Sequence, residues 1–204
     1  MLAQAIPDAE KYAQKLQPLL GNGSPPAPKP YWIDLNGRVL QGSLAITANG
    51  AWLHRVPRKP TGKHFLGFWV QWIAACAAGM GGETPAVLAS PEKLWRWEPP
   101  GDAVGHLADL MNLFEQGQRV PLRYFPRASF DWWSAFGGDE EKRAAALEKA
   151  SRTWFGDSFG TGTPESDEPA HRALFGHEED PLQLEFEQVA TRILRPLFLS
   201  LARP

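Results

Sequence analysis

The chain has 204 residues, a formal net charge of −2 and 43% hydrophobic residues. It is long enough to bury a real core, and too near neutrality to act as a bulk polycation. Its longest apolar run, "FLGFWVQWIAACAAGM", is interrupted by Gln71 and too short for an ordinary membrane span, and the N-terminus turns charged before a cleavable signal could form. Cys76 is the single cysteine and cannot close an internal disulfide, which favours a cytoplasmic location.

In chain order, residues 8–20 read as a short helix with Tyr12, Leu16, Leu19 and Leu20 on its apolar side. "GNGSPPAPKP" then breaks it, so residues 1–30 are expected to form an N-terminal helix and Pro/Gly-rich linker outside the core. A three-strand meander follows, "YWIDL", "RVLQGSLAIT" and "AWLHRV", with Asn-Gly turns at 36–37 and 49–50. Strand alternation gathers Leu40, Gly42, Leu44 and Ile46 on one face of the middle strand.

Residues 62–79 read as the first main helix, with Phe65, Phe68 or Trp69, Trp72 and Cys76 at helical spacing and Gly79 as the stop. Another short strand is expected within 85–94. A second helix over about 102–116 packs through Leu107, Leu110, Met111 and Phe114 and ends at Gly117, and "RVPLRYFP" is extended. The Ala-rich "GGDEEKRAAALEKASRTWF" predicts a helix, "GDSFGTGTPESDEP" a loop. A closing helix starts with Asp180 as cap and Pro181 in its first turn, buries Leu182, Phe186, Val189, Ala190 and Ile193, and is kinked or ended by Pro196. The pattern is mixed α/β.

Metal-dependent hydrolysis needs converging carboxylates, yet residues 35–82 contain no acid at all. Asp34 beside the first hairpin turn reads as a turn residue. His171 and His177 form only a weak metal motif next to "EED", Cys76 reads as core, and Ser43, Ser90, Ser129 and Ser134 lack a nucleophile-elbow context. No metal ligand, catalytic residue or cofactor is assigned.

Charge is more informative. Arg38, Arg55, Arg58, Lys59 and Lys63 make residues 35–82 wholly basic, whereas 165–187 holds eight acids and one base, Arg172. Such polarity reads as solvated loops, as DNA contact by the basic stretch, or as a protein interface. Candidate DNA or partner contacts are Arg55, Arg58, Lys59, Lys63 and the paired tryptophans Trp95, Trp97, Trp132 and Trp133. One ring of each pair is placed to meet a partner or an adjacent subdomain, since neighbours on a strand or helix point in different directions. Trp69 and Trp72 are expected in the core.

The ordered blocks "GRVLQGSLAI", "FLGFWVQWIAACAAG", "HLADLMNLFEQGQRVPLRYFPRASFDWW", "KASRTWFGD" and "DPLQLEFEQVATRILRPL" resemble the C-terminal domain of RecC, the gamma chain of exodeoxyribonuclease V, over about residues 30–199. The resemblance implies a domain over 31–204 with a PD-(D/E)xK nuclease-like core, a β-meander flanked by helices, lacking the catalytic set. It puts Ala45 where an active relative carries a metal ligand, and "HRVPRKP" in place of the following acid–Lys motif, leaving Lys59 without a spaced carboxylate. The implied role is a non-catalytic structural and DNA-handling module in double-strand-break repair. Its implied partners are RecB-type and RecD-type subunits and DNA, with no membrane, and the isolated chain is expected to be monomeric. The alternatives are a metal-dependent nuclease built on distant acids such as Asp34, Asp102 and Asp109, and an independent DNA-binding domain.

Overall fold

The computed structural model describes residues 2–20, 28–45, 53–56, 59–81, 86–156, 163–176 and 180–202, with side chains of the first helix from residue 10. Among these residues the fold is mixed α/β, with seven α-helices and two small sheets. It divides into two compact units. The first comprises residues 1–60, 64–110 and 199–204, and the second residues 61–63 and 111–198.

In the first unit, α1 (Leu2–Leu20) is longer than its apolar spacing suggested. The sequence reading placed residues 1–30 outside the core. Leu16 is instead buried in a cluster with Val87 and Ala89, on which Tyr12, Leu19 and Leu20 also pack. The Tyr12 hydroxyl donates to the Ala89 carbonyl at 2.8 Å, fixing the helix to that strand.

Strands β1 (Pro28–Asp34) and β2 (Val39–Ala45) form an antiparallel hairpin. Asn36 and Gly37 both take positive φ, 58° and 85°, as a tight two-residue turn requires. Leu35 and Arg38 exchange both backbone hydrogen bonds, at 2.8 and 3.4 Å. Asp34 Oδ1 accepts from the Gly37 amide at 2.7 Å, the turn role expected of it. Ile33 and Leu44 are buried on the face that they share with half-buried Leu40 and exposed Gly42.

The expected third strand does not join this hairpin. β3 (Leu53–Arg55) pairs in parallel with β4 (Ala86–Ala89), and β4 pairs antiparallel with β5 (Leu94–Trp97). The intervening α2 (Gly62–Ala77) makes the connection a strand–helix–strand crossover, the kind that parallel pairing needs. The short apolar run "AVLA" is buried at every position, as a central strand covered on both faces should be. The Asn49-Gly50 turn and Ile46 lie outside the described residues. Gly79, at φ 68°, stands just beyond α2 as anticipated. The outer edge of β5 is covered: Glu98 donates to the Ser200 carbonyl and Ala202 to the Arg96 carbonyl, at 2.9 and 2.8 Å.

Helix α3 (Ala103–Gly117) buries Leu107 and Leu113, but Phe114, read as a packing residue, is 61% exposed. In the second unit the sequence reading missed α4 (Pro126–Phe136) and α6 (Pro169–Phe175). The first of these begins on a proline and ends at Gly137 in the left-handed region, a start and stop pair visible in the sequence. α5 (Arg143–Phe155) matches the Ala-rich segment. α7 (Leu184–Leu199) starts later than expected. Asp180 Oδ1 does accept a cap-like hydrogen bond from the Leu182 amide at 2.9 Å, but Pro181 precedes the helix. Nor does Pro196 end it: α7 runs on to Leu199, without the one i→i−4 hydrogen bond that the proline nitrogen cannot donate. Leu182, Phe186, Val189, Ala190 and Ile193 are buried as expected.

Candidate partner and nucleic-acid interface

Arg55 closes β3, where the Val56 amide donates to the Ala89 carbonyl at 2.8 Å and holds the strand end in the sheet. Its side chain is exposed, and its charge reaches the Tyr12 phenol, whose pKa is raised by burial and drawn down in part by that cation. Lys59 is exposed beyond the strand, and Arg58 lies outside the described residues. Lys63 differs from them. Its ammonium donates to both carboxylate oxygens of Glu168, at 2.9 and 3.0 Å, within the second unit. That hydrogen bond is the main reason the Glu168 carboxyl titrates below its usual range. So the basic and acidic stretches do meet at one point, and Lys63 is already engaged there.

Three of the four candidate tryptophans are interior. Trp97 is fully buried, its ring 4.7 Å from that of Phe68. Trp132 stacks on Phe136 at 4.9 Å and lies 5.8 Å from Phe186. Trp133 packs edge-on against Phe136 and near Phe198. Neither ring of the 132–133 pair is open to a partner, because both flanks of α4 are covered by aromatic side chains. Trp95 is half-buried, edge-on to Phe65 at 5.3 Å, with the Lys93 ammonium 5.6 Å from its ring centroid. Trp69 and Trp72 are core residues as expected. Among the described residues the exposed tryptophan is Trp32, at 66%, which sequence reasoning did not single out. Alternation could have found it, since Ile33 and its face are buried and Trp32 must then point the other way.

The acids serve the fold. Asp34 holds its own turn, and Asp102 Oδ1 accepts from the Gly105 amide at 2.8 Å at the start of α3. In the second unit, Asp167 pairs with Arg172, Glu185 with Arg123, and Glu187 with Arg143. The last pair is bidentate, Arg143 Nε to Glu187 Oε2 at 2.7 Å and Nη2 to Oε1 at 2.8 Å. Glu165 is fully buried and accepts from the Arg127 and Ala128 amides, 2.9 and 2.7 Å away, capping α4 from a remote segment. Burial raises its pKa, and those two hydrogen bonds oppose the rise.

Other candidate chemistry is absent from the described residues. No group of three or more His, Cys, Asp or Glu is placed to hold a metal ion among them. His171 Nδ1 lies 3.0 Å from the Glu165 carbonyl, with its ring against Trp154; His177 lies outside the described residues. Burial pushes the Cys76 thiol up to about 11, so it is a poor nucleophile at neutral pH. Ser90, Ser129 and Ser134 bond to nearby backbone groups, and Ser43 is exposed on β2. An open groove of about 620 Å³ is lined by Lys11, Tyr12, Gln14, Lys15, Pro91 and Glu92, but its Lys15 ammonium already donates to the Pro91 carbonyl. No helix of the described residues is long and apolar enough to cross a membrane.

No curated protein matches the chain. A family model described as the RecC C-terminal domain matches residues 1–137, taking in α1 and stopping just after α4, whereas the likeness read from the sequence ran from about 30 to 199. The chain therefore belongs to the RecC C-terminal domain family, whose context is the RecBCD complex.

Proposed function

We propose that the chain is a non-catalytic structural and DNA-handling module of a RecBCD-type helicase-nuclease, acting in the cytoplasm in double-strand-break repair through subunit assembly and strand guidance. The observation that carries this reading is the employment of the acids. Asp34 and Asp102, two of the three carboxylates that a nuclease reading would recruit, each accept a hydrogen bond from local backbone. An Mg²⁺ site needs carboxylate oxygens that converge on one point, and among the described residues no group of three or more His, Cys, Asp or Glu does so.

The nuclease-like character of the core is part of the same proposal. In its favour are the β1–β2 hairpin, the helix after β3 and the return to a parallel strand. Ala45, at the end of β2, has no metal-binding group, and Lys59 lies beyond β3 without a carboxylate at strand spacing. Arg55 and Lys59 are the proposed DNA contacts of this module. Both are exposed cations, and Arg55 stands on a strand that fixes its position.

The test is coexpression of the chain with the RecB-type and RecD-type subunits of its source. The chain is expected to copurify with them, and the assembly to bind duplex ends more tightly than the two subunits alone. A chain that joins neither subunit would overturn the reading.

A further inference from the structure

The β1–β2 hairpin has edges of different character. Because Leu35 and Arg38 exchange hydrogen bonds, the antiparallel alternation makes Ile33–Leu40, Tyr31–Gly42 and Lys29–Leu44 the bonded pairs. The backbone groups of the intervening residues therefore point away from the partner strand. On β1 these are Pro28, Pro30, Trp32 and Asp34, and the two prolines remove donors from that edge. On β2 they are Val39, Gln41, Ser43 and Ala45, and each of these carries both a donor and an acceptor.

Among the described residues the hairpin sheet ends at β2. Elsewhere in the same unit the exposed edge of β5 is sealed by residues 200–202. Native proteins blunt free edges with proline, lysine, bulges or a covering segment, because an open edge templates pairing. β1 has the prolines and β5 has the cover. Among the described residues β2 has neither, and it carries no charged residue along Val39–Ala45.

The same side chains that share the outward register form the solvent face of the hairpin. Val39 is 64% exposed and Trp32 66%, with Pro30, Gln41 and Ser43 beside them. Asp34 is the one charged residue of that face, and it has no Lys or Arg. A nucleic-acid strand laid there would find no cation for its phosphates, so the surface suits polypeptide.

We propose that the free edge of β2 docks an extended segment of a partner subunit as a third strand. The outward groups of Val39, Gln41 and Ser43 supply its main-chain hydrogen bonds, and the Val39–Trp32 face receives its apolar side chains. The inference rests on the assembly role above and gives that role a location.

The test uses the copurified complex and two variants, Gln41→Pro and Ser43→Pro. Both substitutions remove an outward donor and leave the bonded pairs of the hairpin untouched. Each is expected to weaken assembly by about tenfold, the worth of one or two ladder hydrogen bonds plus a steric block. Trp32→Ala, at an exposed position, is expected to weaken assembly without unfolding the hairpin. Residue-resolved hydrogen exchange reads the geometry itself: on complex formation the amides of Val39, Gln41 and Ser43 gain protection, while those of Leu40 and Gly42, already in the ladder, do not change. If the wild-type chain joins neither subunit, both the assembly role and the docking edge fall. If it joins them and the proline variants do so equally well, or protection at 39, 41 and 43 is unchanged, the docking edge alone is wrong. Dimerisation of the chain that these prolines abolish, without any effect on subunit binding, would also overturn the proposal.

Discussion

Glu165 places a carboxylate oxygen 2.7 Å from the amide of Ala128, across 37 residues of chain. Through this bond and its twin to Arg127, a segment that reads as an acidic loop caps the helix carrying Trp132 and Trp133. Replacing Glu165 with Ala leaves two helix-terminal donors without their acceptor, and is expected to cost about 2 kcal/mol. Glu165→Gln keeps one acceptor oxygen and should cost less. Urea unfolding of the two variants measures both.

His54 sets a pH dependence. Burial, followed by the nearby charge of His64, lowers its pKa from the 6.5 of an unfolded chain. Below pH 6.5 the unfolded state therefore binds more protons than the native state, so His54's contribution to stability is complete above that pH and falls as the pH drops through the lowered native value. Thermal melts between about pH 5 and 8 should show a falling midpoint on the acid side, and His54→Gln should flatten that slope.

Gly62 opens α2 where no larger residue fits. A Cβ built there would collide with the Pro126 carbonyl oxygen and lie 2.7 Å from Phe130 Cβ. Because the first obstacle is backbone, Gly62→Ala is expected to cost about 1–3 kcal/mol, read from the denaturation midpoint.

Trp132 and Trp32 separate core from surface. Trp132→Ala empties a site enclosed by Phe136 and Phe186 and should cost about 3–5 kcal/mol. Trp32→Ala should change stability by no more than about 0.5 kcal/mol, its effect appearing in partner binding.

The DNA-contact role of the basic stretch predicts unequal effects. Arg55→Gln and Lys59→Gln should each weaken duplex binding and lower the slope of log affinity against log salt by about one. Lys63→Gln should do neither, because Glu168 already holds that ammonium. Equal effects at all three positions would sink the assignment. A salt series of binding isotherms distinguishes the cases.

Local signals in the sequence were reliable where one short rule decides. Asn36-Gly37 gave the hairpin turn, Gly79 the end of α2, and the apolar spacing of 182–193 the buried face of α7. Pairing was not legible, because the contrast between a meander and a crossover depends on which strand β3 finds, and three residues carry too little pattern to say. The Trp132–Trp133 pair was misjudged for a related reason. Helical geometry separates the two rings by direction, but only the tertiary fold reveals that Phe186 and Phe198 wait on either side. The acidic run, for which solvated loops were one reading, divides: Glu165 and Glu187 are buried against the α4 amides and Arg143, whereas Glu168 and Glu185 form solvent-accessible pairs with Lys63 and Arg123. Conversely, the lack of acids between 35 and 82 was plain from the sequence and is what first argued against hydrolysis.

The most direct test of the non-catalytic reading is to titrate the purified chain with Mg²⁺ and Mn²⁺ by calorimetry and assay the same samples on linear duplex DNA. The account predicts no stoichiometric metal binding and no cleavage. Stoichiometric binding together with cleavage that disappears in Asp34→Asn or Asp102→Asn would contradict it.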